Sequence, residues 1–382
     1  MQPHASDSQA LARLTARLPG SFDLDALARE RGALTRCRQI KSGHDLLHLA
    51  LAYSAGAPSL RRTAAWAEVS GLAQMSNVAV LGRLQGADEF LRAVVSALLA
   101  ERQHAALPRG PARRVRIIDA TTISSPGRGP EWRLHVDYNL AGQRIIGVDL
   151  TEGRASESLK RFNFQPGDIA MGDRIYAKAR DLHQVVAAGA DFLVRIGWNA
   201  LRLRHQDGSK FDLFKALAPI KPGKLAEACV WIQPGRAKRD LMPVRLIMAR
   251  KPRSALESSR KRARRQSANH HKKIQQQTLV AAEYMLLITT LDRTSFPASD
   301  MPAFYRMRWQ IELTFKRRKT LMGFDDLTAK NAALARSWIY AKLIAALLTE
   351  DLVAEVLDSP PSAGPRSQPL GALALAPRSH LL

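Results

Sequence analysis

The chain has 382 residues with a formal net charge of +24 at pH 7, from 58 Lys and Arg against 34 Asp and Glu. Its 46% hydrophobic content is ample for packed cores and its length allows two or three domains. So large a positive charge points to a polyanionic partner, of which nucleic acid is the commonest, although charge alone does not separate that from a ribosomal or membrane-surface role. Cys37 and Cys229 have no paired spacing, which leaves no support for a disulfide framework or a zinc site. The segment Met1 to Asp7 lacks the order of a secretory signal, and no apolar run approaches the roughly 20 residues that cross a bilayer, so no membrane role and a cytoplasmic place are expected.

Residues 8 to about 104 read as wholly helical. Asp45 to Tyr53 is strongly apolar, and Asp88 to Arg102 sets Phe90, Val94, Leu98 and Leu99 in an amphipathic pattern. Between them Ser59 can cap a helix from Leu60 to about Glu68, Gly71 marks a turn, and Ser76 can cap a second helix through Leu84. This is the layout of a helix-turn-helix with Arg61, Arg62 and Arg83 available for phosphate, or of an ordinary helical hairpin. His44 and His48 lie four apart on one helix, but with no third ligand nearby packing or capping is the better reading.

Leu107 to Pro111 is a Pro and Gly break and a domain boundary. A β-branched strand follows, ending at Asp119, and then a hairpin of Glu131 to Leu140 and Arg144 to Leu150. A short helical stretch near Ser156 to Arg161 precedes a second apolar strand, closed by Gly172 and carrying Asp173. Ala177 to Ala188 reads as a helix and Asp191 to Ile196 as a strand. Asp137 and Asp149 are further carboxylates in this region, for which solvent exposure or turn stabilisation is expected.

From Trp198 to about Ala282 a β-rich insertion is expected, with strands at Phe211 to Leu213, Ala228 to Ile232 and Val244 to Ala249. Lys251 to Lys273 is dense in cations, Arg264 and Arg265 among them, and suits a DNA backbone without conferring sequence preference. Ala281 to Thr290 returns as a β run. Tyr305 to Lys319 has no Gly or Pro and lies between Pro302 and Gly323, so it reads as one helix of about four turns. On it Arg308, Glu312 and Lys319 share a face, with Tyr305 just before them. Leu334 to Leu348 reads as an apolar helix covering the sheet, and the tail from Ser359 as disordered.

A carboxylate at the end of a buried strand is costly unless a cation meets it. Asp119 and Asp173 with Glu312 make three hard oxygen ligands, the type of set that holds a pair of Mg²⁺ ions for phosphoryl transfer. The order Tyr305, two residues, Arg308, three residues, Glu312, six residues, Lys319 resembles the signature of the DDE transposases of the insertion sequence 4 family. Asp119 in Ile-Asp-Ala-Thr-Thr and Asp173 in Gly-Asp-Arg-Ile-Tyr resemble that family's catalytic aspartates.

The resemblance implies an α/β ribonuclease H-like catalytic core with a β-rich insertion, preceded by an all-α helical DNA-binding domain. On it residues 1–107 are the helix-turn-helix-like domain, 108–197 and 283–358 the two parts of the core, 198–282 the insertion and 359–382 a tail. It implies cut-and-paste transposition by Asp119, Asp173 and Glu312 with two Mg²⁺ ions, Mn²⁺ being the substitute. Tyr305, Arg308 and Lys319 then grip phosphates near the cut, a grip that favours a hairpin intermediate, and Trp231 or Trp198 stacks a flipped base. The implied partners are double-stranded DNA, as inverted-repeat ends and target, and a second copy of the chain, at the bacterial nucleoid. Two alternatives stay open: a metal-dependent nuclease or resolvase without strand transfer, and a non-catalytic, truncated DNA-binding relic.

Overall fold

The computed structural model describes residues 5–20, 22–55, 59–105, 113–127, 129–234, 241–269, 271, 273–309 and 323–358. Six helices come first: α1 (Ala5–Thr15), α2 (Leu24–Glu30), α3 (Gly43–Ala55), α4 (Leu60–Val69), α5 (Asn77–Gln85) and α6 (Asp88–Ala105). Ser59 and Ser76 cap α4 and α5, each accepting from the backbone N–H three residues on. The apolar α3 is central, with Leu46, Leu47, Leu49 and Leu51 fully buried. Gly43 starts it because a Cβ there would come within 2.2 Å of the Leu24 carbonyl oxygen.

Among the described residues nine strands form one mixed sheet: β1 (Arg114–Ser124), β2 (Glu131–Asn139), β3 (Arg144–Glu152), β4 (Asp168–Gly172), β5 (Asp191–Arg195), β6 (Leu203–Arg204), β7 (Leu225–Ile232), β8 (Met242–Arg250) and β9 (Tyr284–Thr289). Their order is β3-β2-β1-β4-β5-β9-β8-β7-β6. Only the pairs β1–β4 and β4–β5 are parallel, with α7 (Ala179–Ala187) connecting β4 to β5. The remaining pairs are antiparallel.

The segment read as an insertion therefore extends the same sheet, because β9 pairs with both β5 and β8. Phe211 to Leu213 is not a strand: the Asp212 carboxylate caps α8 (Leu213–Leu217) by accepting from the Lys215 N–H, and the capping signal outweighs the short apolar run. The basic segment forms a helix, α9 (Arg253–Asn269), followed by α10 (Gln276–Ala281).

Strand alternation divides the apolar residues between two cores. One face presents Ile118, Ala170, Phe192 and Val194 to α7 and the β7–β8 residues. The other presents Ile117, Met171, Leu193 and Leu287 to a cluster that is continuous with the six N-terminal helices, α11 (Met301–Arg306) and α12 (Ala332–Asp358).

Helix α12 packs chiefly on α6, α3 and α5, rather than lying flat on the sheet as its apolar sequence suggests. Arg102 of α6 donates to Glu350 at 2.8 Å and Asp351 at 2.7 Å, and Arg336 of α12 donates to Asp88 at 2.6 Å. The stretch Ala332–Val353 is long and apolar enough to cross a bilayer, contrary to the expectation from sequence, yet 67% of its most apolar window is buried inside the protein. It is a core helix.

Candidate active site

The parallel register builds the site. Ile117 pairs with Met171 and Gly172 with Val194, so Asp119 and Asp173, each two residues beyond the first pair, stand level on adjacent strands. Arg195, one residue beyond Val194, stands level with Asp173 on the next strand. Neighbouring strands lie about 4.8 Å apart, and Asp173 and Arg195 fall at the carboxyl ends of β4 and β5, where ligands of open α/β sheets bind. Asp119 is not the end of its strand, as the sequence suggested: β1 runs on to Ser124 because it stays paired with β2, and Asp119 lies two residues past the stretch that pairs with β4. Ile117, Met171 and Leu193 face the helical core, and Asp173 is still extended (φ −83°, ψ −170°), so the two-residue period puts all three side chains on that face.

Asp173 also caps the 3-10 turn Arg174–Tyr176, its Oδ1 accepting from the Ile175 N–H at 2.8 Å. The turn folds Tyr176, fully buried, over Gly172, where a Cβ would lie 3.0 Å from the tyrosine Cβ. Burial first, and then the carboxylates of Glu157, Asp119 and Asp173, push the Tyr176 phenol up and keep it protonated.

Helix α11 follows β9 and brings Tyr305 into the same core at 3% exposure. The Arg308 guanidinium, also buried, lies 5.8 Å from the Tyr305 ring centroid. Burial raises the Tyr305 phenol, with Arg308 and Arg195 opposing and Asp173 adding. Burial lowers the Arg195 guanidinium, helped by Arg174 and Arg308 and opposed by Tyr305 and Asp173. These groups feel one another, so the fold brings Asp119, Asp173, Tyr305 and Arg308 into one electrostatic neighbourhood.

Glu312 and Lys319 lie outside the described residues. Helix α11 is capped at Met307, after which Arg308 and Trp309 are helical again and the rest of the helix expected through Lys319 lies outside the described residues; Pro302 sits in the first turn of α11, where its missing N–H costs nothing.

Arg195 and Arg174 are site residues that sequence reasoning missed. The signal was a charged residue at the carboxyl end of a buried strand, which singled out Asp173 just beyond β4 and applies as well to Arg195, the last residue of β5. Asp137 is a correction in the other direction: it is fully buried and paired with Arg116, not exposed. Arg116 also donates to Asp168 at 2.8 Å, and Arg114 grips Asp168 at 2.7 and 2.9 Å, forming a four-residue ion network under the sheet. Asp149 pairs with Arg161 at 2.6 Å. His48 packs against the Thr15 hydroxyl at 2.9 Å.

A 620 Å³ cavity opens beside Arg174 and Arg195 and is walled by Trp198, Lys273 and residues of α9 and α10. Trp198 donates from Nε1 to the Thr278 hydroxyl at 3.2 Å and meets Phe214 edge-on. Trp231 does not line this cavity; it is half-buried on β7, opposite Pro243 and Arg204. Arg264 and Arg265 are exposed on α9, and Arg61 and Arg62 on α4. Arg83 is committed elsewhere, donating to the Arg36 carbonyl at 2.6 Å.

Among the described residues no three His, Cys, Asp or Glu side chains cluster closely enough to hold a metal by themselves. Two level carboxylates nevertheless fit Mg²⁺, which is commonly bound through one or two carboxylates with water and substrate phosphate completing six oxygens.

Residues 110–348 match the family model of the transposase DDE domain. The chain is 38% identical over 348 residues to the transposase for insertion sequence element IS421 of Escherichia coli, covering 90% of this chain and 94% of that protein. It is also 38% identical over 347 residues to InsL of insertion sequence element IS186A of Escherichia coli K12, with the same coverage. To the transposase for IS231D of Bacillus thuringiensis subsp. finitimus it is 23% identical over 370 residues, covering 85% of this chain and 76% of that protein.

Proposed function

Because the chain belongs to the DDE transposases of insertion sequences, metal-dependent enzymes that cut DNA and transfer strands, we propose that it acts as the insertion sequence 4 type does. It would then excise its element at the inverted-repeat ends, through a hairpin, and insert it into target DNA as a homodimer at the nucleoid. The observation that carries this reading is the level placement of Asp119 and Asp173 beside Arg195, Tyr305 and Arg308.

Asp119 and Asp173 would hold the ions with Glu312, and Mg²⁺ or Mn²⁺ in pair would supply activation of the attacking water or 3′-hydroxyl and stabilisation of the leaving oxygen. The chain's own part is positional. Arg308 and Arg195 present planar forks to the phosphate next to the cut, Lys319 a point charge and the Tyr305 hydroxyl a single donor. The burial of Arg308 and the partial burial of Arg195 keep their charges little screened. Trp198, on the cavity beside Arg195, is better placed than Trp231 to meet a base drawn out of the duplex. The helical unit of α1 to α6 would grip the repeat through Arg61 and Arg62, and α9 the backbone through Arg264 and Arg265.

The test is Mg²⁺-dependent nicking of a duplex bearing the flanking inverted repeats, comparing the native chain with Asp119→Asn and Glu312→Gln. Cleavage at the repeat boundary by the native chain alone is the expected result. Binding by all three with cutting by none would overturn the catalytic reading and leave a DNA-binding regulator.

A further inference from the structure

Helix α9 should not be stable where it lies. It carries six cations, Arg253, Arg260, Lys261, Arg262, Arg264 and Arg265, against one anion, Glu257, and buries no residue. The half-buried residues are Ala255, Leu256, Ser259, Ala263 and Ser267, of which only Leu256 is large and none belongs to either core, so apolar anchorage is slight. What fixes the helix is polar. Glu283, at the turn into β9 and only 2% exposed, accepts from Arg250 at 2.8 Å through one carboxylate oxygen and from Arg260 Nε at 2.7 Å through the other. Beside it Lys251 donates to the Ser259 hydroxyl at 2.8 Å and the Ala282 carbonyl at 2.7 Å.

The docked helix then serves two places at once. Its inner residues Ala263, Gln266 and Ser267 wall the cavity that Arg174 and Arg195 share with the site. Its outer face carries Lys261, Arg262, Arg264 and Arg265, all exposed, within two turns. Arg262 is close enough to Lys251 to depress its ammonium pKa, after burial and Arg195.

We infer that Glu283 is a positioning residue for DNA: by clamping Arg260 it lays α9 along the phosphate backbone next to the cut. The inference rests on the DNA reading above. The occupant is a duplex backbone, since the face offers a row of four cations against the single carboxylate of Glu257 and no apolar feature to select another partner.

Simple charge counting gives the opposite sign. Neutralising a carboxylate beside a cationic helix should tighten DNA binding, whereas releasing the helix should weaken it. The experiment measures affinity of the full chain for a repeat-bearing duplex between 50 and 300 mM salt, on the order of the range where counterion release is read. For Glu283→Gln, which removes no cation, the expected result is binding roughly 10-fold weaker at the upper salt, with a log–log slope shallower by about 2 to 3. Trypsin should also cut faster within 253–269, at an unchanged melting midpoint. Unchanged or tighter binding with the native slope overturns the inference.

Should Glu283→Gln fold poorly, Arg260→Gln leaves the Arg250–Glu283 pair intact. A lost cation alone lowers the slope by about 0.9, and only a larger fall supports a tether. A native chain with no salt-dependent binding would remove the transposase reading itself, whereas a native slope kept by both variants overturns only the role of Glu283.

Discussion

Asp119 and Asp173 stand level on neighbouring parallel strands, each two residues beyond the paired Ile117 and Met171. Asp173 has a second duty as the cap of the Arg174–Tyr176 turn. The two duties separate chemically, because asparagine caps as well as aspartate but carries no charge to hold a cation.

Asp173→Asn should therefore melt at the native temperature while its cleavage rate falls on the order of 10³-fold or more, about 4 kcal/mol of lost transition-state stabilisation. Asp173→Ala should lose the same activity and in addition about 1 kcal/mol of stability from the missing cap. Calorimetry alongside single-turnover nicking checks both, and an asparagine variant that cuts at the native rate would remove Asp173 from the catalytic set.

The ion network of Arg114, Arg116, Asp137 and Asp168 is buried beneath the site, with Asp137 at 0% and Arg116 at 2% exposure. Burial pushes the Asp137 carboxyl up in spite of Arg116, whereas hydrogen bonds from Arg114 and Arg116 outweigh burial and hold Asp168 down. Removing one member strands a charge where water cannot reach it. Asp137→Ala should cost about 3–5 kcal/mol in urea unfolding, and the double change Arg116→Met with Asp137→Leu distinctly less than the sum of its parts. Additive costs would show that the pair is not coupled.

This network shows where legibility in the sequence ends. The strand end before Asp173 was readable because a brief apolar run closes there at Gly172, and the caps at Ser59 and Ser76 because capping is local. The end expected at Asp119 was not, because β1 is carried on to Ser124 by its pairing with β2. Asp137 was misread because its partner Arg116 lies 21 positions upstream and meets it only after β1 and β2 pair. The continuity of β6 to β8 with the main sheet was hidden for the same reason, the link being β9, far along the chain. Helix α9 escaped because an inner face of alanine and serine with a single leucine, Leu256, leaves no apolar stripe to detect.

His135 gives a pH signature. It is fully enclosed on β2 with Nε2 3.0 Å from the Thr151 hydroxyl, and burial, assisted by Arg161 and opposed by Asp149, lowers its pKa to about 4. The unfolded chain protonates this ring near pH 6.5, the folded chain only near 4. Its contribution is thus complete above pH 6.5 and declines as pH falls from 6.5 toward 4, by up to about 3 kcal/mol. Unfolding free energies of the native chain and His135→Gln between pH 4.5 and 7 should converge toward the acid end. Parallel curves would mean that the ring titrates normally.

The N-terminal helices make the final distinction, between cations that look alike in sequence. Arg61 and Arg62 are exposed in the first turn of α4, whereas Arg83 of α5 ties its guanidinium to the Arg36 carbonyl across 47 positions. Each of Arg61→Gln and Arg62→Gln should make the salt dependence of binding to the inverted repeat shallower by about 0.9, with no change in melting. Arg83→Gln should leave that slope as it is and lower the melting midpoint, since the bond it loses joins α5 to the chain ahead of α3. Salt titrations of the three variants against one labelled repeat read all of these outcomes. A slope lowered by Arg83→Gln and untouched by the other two would move the DNA-contacting face from α4 to α5.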